Sequence, residues 1–411
     1  MASSAVLALF AVVWSVRAVT QGLKGNPLGL VDLSVYRAGG HAVVDRIDLY
    51  SMRAPGSGLP FTYPPFAAVS FVVLVPLGVG LGQMVFTAVS LLALGRACWL
   101  VGRAALPGRL PTYGLVAAAC LLLVLGLQLE PTRESLRLGQ VNLVLLWMVL
   151  EDLVGGVPER FRGVLIGLAV GLKLTPALFV IYLLVTGRPR PAMRAIGVFV
   201  ATVLLGFVVV PGPSWGYWTH DAFDVSRVGG TAFAGNQALN GAIARLLGAG
   251  GGAALWLLAA LAVGLAGLAV AWALSRSGRE LMAVSTVALT GLVVSPVSWS
   301  HHWVWVLPLL GALAGEAVRP RVLRRWVPWA AVAVGTGLVW VFTSREIWGL
   351  PETNGREHGW RGLQLVQGNA YVLAALAFLV GAVWMTRSPL LVALRRTGPT
   401  RHQLNPARQA R

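Results

Sequence analysis

Twelve apolar blocks separated by short loops decide what this chain can fold into. They lie at about 5–20, 66–79, 82–102, 113–129, 141–154, 163–186, 195–211, 252–275, 281–296, 302–316, 326–343 and 369–387, against the roughly 20 apolar residues that a spanning helix needs. A backbone surrounded by lipid must satisfy its own N–H and C=O groups, and runs of this length do so as helices. Asp, Glu, Lys and Arg make up 12% of the chain, about half of the roughly 25% usual in soluble domains. The expected fold is an all-α polytopic membrane protein with about 11–12 membrane helices. One transmembrane domain covers 1–387, and 388–411 forms a basic, disordered cytoplasmic tail.

Two blocks depart from a simple span. Block 66–79 is short, follows Pro64-Pro65 and has Pro76 near its end, so it is read as an interfacial or re-entrant segment on the outer side. Block 163–186 carries Lys173-Leu174-Thr175-Pro176 at its middle. It is read as two half-length helices that rise, break at the proline and return. With the N-terminus inside, Arg103, Arg109, Arg160, Arg162, Arg188, Arg190, Arg194, Arg276, Arg279, Arg319, Arg321, Arg324 and Arg325 then fall in cytoplasmic loops, joined by the arginines of the tail. Outside the apolar blocks only Glu159 and Glu280 oppose them on that side, the sign that the positive-inside rule requires. The formal net charge of +18 is therefore assigned to topology and anionic lipid rather than to nucleic acid. The run after Met1-Ala2-Ser3-Ser4 shows no small-residue cleavage site before Gln21 and is read as an uncleaved helix. Cys98 and Cys120 lie within apolar blocks and are read as small core residues.

On this topology the uncommon polar patches share the outer face. The first outer loop, 21–65, holds Val31-Asp32-Leu33-Ser34-Val35-Tyr36 and closes on a rigid Leu59-Pro60-Phe61-Thr62-Tyr63-Pro64-Pro65-Phe66 corner. An acid at a membrane edge is costly to desolvate and marks function. Asp32 is the candidate base, with Tyr36 one helical turn away and Tyr63 on the corner. Asp45 and Asp48, beside Arg46, read as ordinary turn acids, and a helix cap is the plain alternative for Asp32 itself. Lys173, within an apolar block beside a chain break, is either a point charge for a phosphate or a residue snorkelling to headgroups. Arg137 is a second cation on the same side. His301 and His302, flanked by Trp299, Trp303 and Trp305, sit at a helix start, where one helical turn points at most one of them inward. Gln140, Asn142, Asn236, Gln237 and Asn240 are neutral amides suited to sugar hydroxyls, although amides also cap helices. Trp215, Tyr217, Trp218 and Trp299 offer aromatic faces. No P-loop, dinucleotide fingerprint or nucleophile elbow occurs. The Asp-x-Asp pair that would hold a metal against a nucleotide sugar is missing too, so no metal and no cofactor is expected.

These patches, in this order, resemble the polyprenyl-phosphate-mannose-dependent α-(1→2) mannosyltransferases of actinobacterial envelopes, glycosyltransferase family 87. The resemblance rests on Val31-Asp32-Leu33 with Val35-Tyr36, residues 59–67 (LPFTYPPFA), Gly139-Gln140-Val141-Asn142, residues 167–177 (GLAVGLKLTPA) and residues 295–305 (SPVSWSHHWVW). It implies a GT-C architecture with the active site at the outer leaflet of the plasma membrane. It also implies inverting transfer of mannose from polyprenyl-phosphate-mannose to a mannose hydroxyl of a glycolipid or lipoglycan, of phosphatidylinositol mannoside or lipomannan type. Asp32 would be the base, and a histidine of the His301-His302 pair, with preference for His302, would contribute to the site. Donor, glycolipid acceptor and membrane lipid are the expected partners. A transporter or flippase of lipid-linked sugars shares most of these features but needs no carboxylate at Asp32. The same fold acting on another polyprenyl-phosphate sugar also fits.

Overall fold

The structure, a computed structural model, describes residues 29–106, 108, 110–248, 252–319 and 327–397, with side chains up to 386. The block at 5–20, Arg109, Arg321, Arg324, Arg325 and the end of the basic tail lie outside the described residues. Among the described residues every regular element is helical, and only Arg53 with Pro60 and Asn236 with Trp299 pair as isolated extended bridges.

Four helices are long and apolar enough to cross a bilayer unaided: Val79–Ala105, Pro189–Val209, Ala253–Arg276 and Val327–Trp348. Thr112–Gln128 and Glu130–Leu138 make a fifth candidate, bent by 73°. The other apolar blocks give shorter helices, among them Pro65–Leu74, Glu280–Val294 and Ala370–Thr386. Helix limits follow local chemistry. Pro189–Val209 starts with proline in its first turn, where no N–H is needed, and stops before Pro211. Ala253–Arg276 leaves Leu255, Leu258, Leu261 and Leu265 at least half exposed, an apolar face for lipid. The last helix continues to Thr397, so the first part of the expected tail is helical rather than disordered.

Block 163–186 breaks at its proline into Val164–Leu172 and Ala177–Val185, with Lys173 in extended conformation between them. Gly167 and Gly171 let the first half press on Pro189–Val209. A Cβ on Gly167 would meet the Ala195 carbonyl oxygen at 2.5 Å, and one on Gly171 would meet Thr202 Oγ1 at 2.4 Å. In lipid, where apolar surface gains little by leaving the solvent, such close packing is a main source of helix association.

Three helices define two ends of the bundle. Ala177–Val185, Glu280–Val294 and Val306–Ala317 each have one end beside Lys173, Ser295 or His302. Their other ends carry the ion pairs Arg188–Glu280 (2.7 Å) and Arg279–Glu316 (3.0 Å). The polar patches and these basic loops are thus held at opposite ends.

Candidate active site

Asp32 is not in an irregular loop. It occupies the first turn of the helix Val31–Val44, which the chain enters through Leu30 in the left-handed region (φ 62°). The Leu30 N–H is anchored to the Arg137 carbonyl at 2.8 Å. Asp32 lies outside the spanning helices and is half-buried. Gln140 lines one cavity with it and favours the ionised form of the Asp32 carboxyl. Gln140 is held in turn: Tyr36 Oη donates to its Oε1 at 2.9 Å, and its Nε2 donates to Tyr63 Oη at 3.3 Å. The Tyr36 ring stacks on Phe71 (centroids 4.4 Å) and meets the edge of Tyr63 (5.1 Å). Burial pushes the Asp32 carboxyl above the usual carboxylate range, opposed by the Gln140 amide and by the charges of Lys173 and Arg137.

Gln140 owes its position to Gly139. That residue closes the helix Glu130–Leu138 in the left-handed region (φ 69°, ψ 42°). A Cβ there would stand 2.8 Å from Leu33 Cβ. Conformation and space both require glycine.

A cavity of about 590 Å³ opens here, and Asp32, Tyr63, Arg137, Gln140, Lys173, Trp299, His301 and His302 all line it. Its size suits a small-molecule site. Lys173 Nζ lies 3.1 Å from Asn142 Oδ1, 2.9 Å from His302 Nε2 and 5.5 Å above the centre of the Tyr63 ring. Both histidines reach the cavity, which corrects the expectation that at most one points inward. The segment Ser300–Trp305 is a 3₁₀ turn, not an α-helix. Its rings stand perpendicular with centroids 4.8 Å apart. His301 Nε2 and His302 Nδ1 have no partner among the described residues. When Lys173 donates to His302 Nε2, the proton of the neutral His302 ring sits on Nδ1, a free donor.

Other sequence candidates serve elsewhere. Tyr36 is fully buried behind Tyr63 and cannot touch a ligand in the cavity. Asn142 is 5% exposed; its Nδ2 donates to the His301 carbonyl (2.9 Å) and Ser135 Oγ (3.2 Å) while its Oδ1 meets Lys173. It positions the lysine and the histidine turn. Asn236 and Gln237 are fully buried. Asn236 accepts from the Ser298 N–H and donates to the Thr231 carbonyl, while Gln237 donates to the Ala234 and Gly368 carbonyls. Their amides splice loops together rather than face the cavity. Asn240 donates to the Pro296 carbonyl (3.1 Å) and lines a different cavity. Trp215 is 67% exposed, whereas Tyr217 lines the Asp32 cavity and stacks on Tyr50 (5.3 Å).

The sequence reading passed over Glu134, Asp221, Arg227 and Trp348, which also line the cavity. Glu134 pairs with Arg137 at 2.6 Å and with Arg345 at 3.3 Å, so Arg137, the expected second phosphate cation, is already ion-paired; the cluster of three carries one net positive charge. A polar run, Glu130 to Ser135, directly after an apolar block was the available signal. Among the described residues no three His, Cys, Asp or Glu side chains converge as metal ligands.

The model of glycosyltransferase family 87 matches residues 61–296. A polyprenol-phosphate-mannose-dependent alpha-(1-2)-phosphatidylinositol mannoside mannosyltransferase of Mycobacterium tuberculosis is 37% identical, over 78% of this chain and 82% of that protein. Its namesake in Mycolicibacterium smegmatis is 36% identical over 91% and 87%. A phosphatidylinositol pentamannoside mannosyltransferase of a second M. tuberculosis strain is 35% identical over 91% and 85%. No solved structure matches. Similarity that covers most of both chains, on a helical membrane fold of GT-C type, leads to one conclusion: the chain belongs to glycosyltransferase family 87.

Proposed function

We propose that this enzyme transfers mannose from polyprenyl-phosphate-mannose to a mannose hydroxyl of a phosphatidylinositol-mannoside-type acceptor, forming an α-(1→2) linkage with inversion. The observation that carries this reading is the meeting of Asp32, a carboxylate with no arginine paired to it among the described residues, with a cation, Lys173, and two histidines in one cavity. One-step inversion needs a single base on the face opposite the leaving group. The acceptor oxygen bonds to the anomeric carbon, its proton passes to Asp32, and the bond from that carbon to the phosphate oxygen breaks. Polyprenyl phosphate departs with both bonding electrons and gains one negative charge.

The proposed roles follow from chemistry. A carboxylate whose proton affinity is raised by burial and tempered by nearby cations suits a general base. Lys173 meets the charge that develops on the phosphate, helped by the net positive Arg137–Glu134–Arg345 cluster. His301 and His302 offer hydrogen bonds from ring atoms that lack partners. Tyr63 and Gln140 fix the base, and Trp299 with Tyr217 supplies apolar faces for a sugar. We place the cavity at the extracytoplasmic face of the plasma membrane. The support is that Arg188 and Arg279 stand at the opposite end of the bundle, where the positive-inside rule puts cytoplasm.

The test is transfer of radiolabelled mannose from polyprenyl-phosphate-mannose to glycolipid acceptors by membranes with equal amounts of wild type or Asp32→Asn. The variant is expected to lose roughly 10²–10⁴-fold in rate, the usual contribution of a general base. Equal incorporation by both would rule out Asp32 as the base. No incorporation by either would rule out the donor.

A further inference from the structure

A second cavity, of about 730 Å³, lies beside the first, and no role for it follows from the transfer chemistry. The chain from Val225 to Phe233, the helix Leu239–Leu247, the first turn of Ala253–Arg276 and the loop 353–358 enclose it. Val225 and Phe233 line both cavities. Phe233 meets Trp299 (centroids 5.9 Å) and Trp348 (6.0 Å) of the first cavity, so its ring is the one aromatic surface among the described residues that both spaces share. The wall is held from behind by the buried Arg245, which donates to the carbonyls of Ala232, Phe233 and Asn236 at 3.0–3.2 Å.

Two groups in this cavity call for a ligand. Trp256 Nε1 and His358 Nδ1 are buried without a hydrogen-bond partner among the described residues, and both residues line it. Buried polar atoms rarely remain unpaired, because an unmade hydrogen bond costs more than a made one gains. Among the described residues no lysine or arginine lines the space, and Glu357, its acid, is 2% exposed and accepts from the Thr353 N–H. An anion therefore finds no counter-charge among the described residues. The rest of the lining is apolar or glycine apart from the neutral Thr231, Asn240, Thr353 and Asn354, with aromatic surface from Phe233 and Trp256. Neutral polar groups around an aromatic wall suit a neutral polyol whose hydroxyls bond at the edges while its C–H face packs on a ring. The location agrees: Trp256 starts a helix whose leucines face lipid, so a ligand anchored in the same leaflet reaches the cavity with its headgroup.

We infer that this second cavity holds the inner mannoses of the acceptor while the terminal mannose passes Phe233 to reach Asp32. The inference rests on the transfer reading above and deepens it by assigning the acceptor subsite. Relatives named for phosphatidylinositol mannoside and for the pentamannoside are almost equally similar to this chain, so a separate chamber is where acceptor length is read.

The test uses the full-length chain in detergent micelles with Trp256→Phe, His358→Gln and Ala244→Phe, which fills the space from the helix Leu239–Leu247. Two readouts are taken: KM for acceptors of one and of several mannoses, and direct calorimetric binding of a soluble α-linked oligomannoside. Each single loss of a hydrogen bond should raise KM for the longer acceptor about fivefold. Ala244→Phe should raise it further and abolish oligomannoside binding, with the KM for the donor unchanged and a smaller effect on the single-mannose acceptor. Unchanged binding in all three variants, or equal effects on both acceptors, would overturn the subsite. If wild type binds the oligomannoside, Ala244→Phe does not, and wild type transfers no mannose, the subsite stands and the transfer reading falls.

Discussion

Lys173→Met isolates the charge that the proposed mechanism needs most. The ammonium is held by Asn142 Oδ1 at 3.1 Å and His302 Nε2 at 2.9 Å, so it has little freedom to follow a moving phosphate. The donor phosphodiester carries one negative charge and the departing monoester two, so about half a unit develops in the transition state. At a separation of about 4 Å and an effective dielectric constant of about 20, one full charge is worth roughly 4 kcal/mol. Half a charge gives roughly 2 kcal/mol, or about thirtyfold in kcat. Methionine keeps the length and apolar stem but leaves the two former acceptors without a donor, so thermal unfolding in detergent must be followed alongside. The assay is initial rate in proteoliposomes at saturating donor and acceptor, with Lys173→Arg as the charge-retaining control. A kcat within about twofold of wild type, with only donor KM raised, would mean that the lysine binds ground state and transition state alike. The reasoning would then fail, and Arg137 would be the next candidate.

Two further outcomes follow from the same geometry. The Asp32 carboxyl must be ionised to act and its pKa is raised by burial, so kcat/KM should fall as pH drops through a value above the usual carboxylate range. Arg137→Gln removes one of the charges that oppose the rise and should move that acid limb to still higher pH; a limb at or below the usual range would contradict the assignment. Asn236→Ala removes the acceptor for the Ser298 N–H and should cost about 1–3 kcal/mol of stability, read as a lower Tm with acceptor KM unchanged. A raised acceptor KM at wild-type Tm would return this residue to sugar binding.

Much of the site was legible because its residues mark chain breaks. Pro176 after Lys173, Gly139 before Gln140, and Pro296 ahead of the histidines are visible without a structure, and each break is where the helices end. What could not be read was the fate of the amides. Asn236 and Gln237 have the right chemistry for hydroxyl recognition, yet the irregular loops around them expose backbone groups that must be satisfied before any ligand is, and the two amides are consumed there. The number of inward histidines was misread because an α-helical turn was assumed where the chain is 3₁₀. Glu134 was missed because its role depends on Arg345, some two hundred residues away, a pairing that no local pattern encodes.

The breaks also explain why a site of this polarity can exist among apolar helices. A residue in mid-helix points either at lipid or at a neighbouring helix, and a charge is costly in both places. At an interruption the backbone itself must turn polar, so the fold has to build a shielded, hydrated pocket to accommodate it. Asp32 begins a helix, Gln140 follows a left-handed glycine, Lys173 joins two half-helices, and His301 and His302 form a 3₁₀ turn. Four interruptions from distant parts of the chain converge on one cavity. None of the four could be straightened into continuous helix without removing its side chain from the others, so the constraint that keeps helices short at this end is the same one that assembles the chemistry.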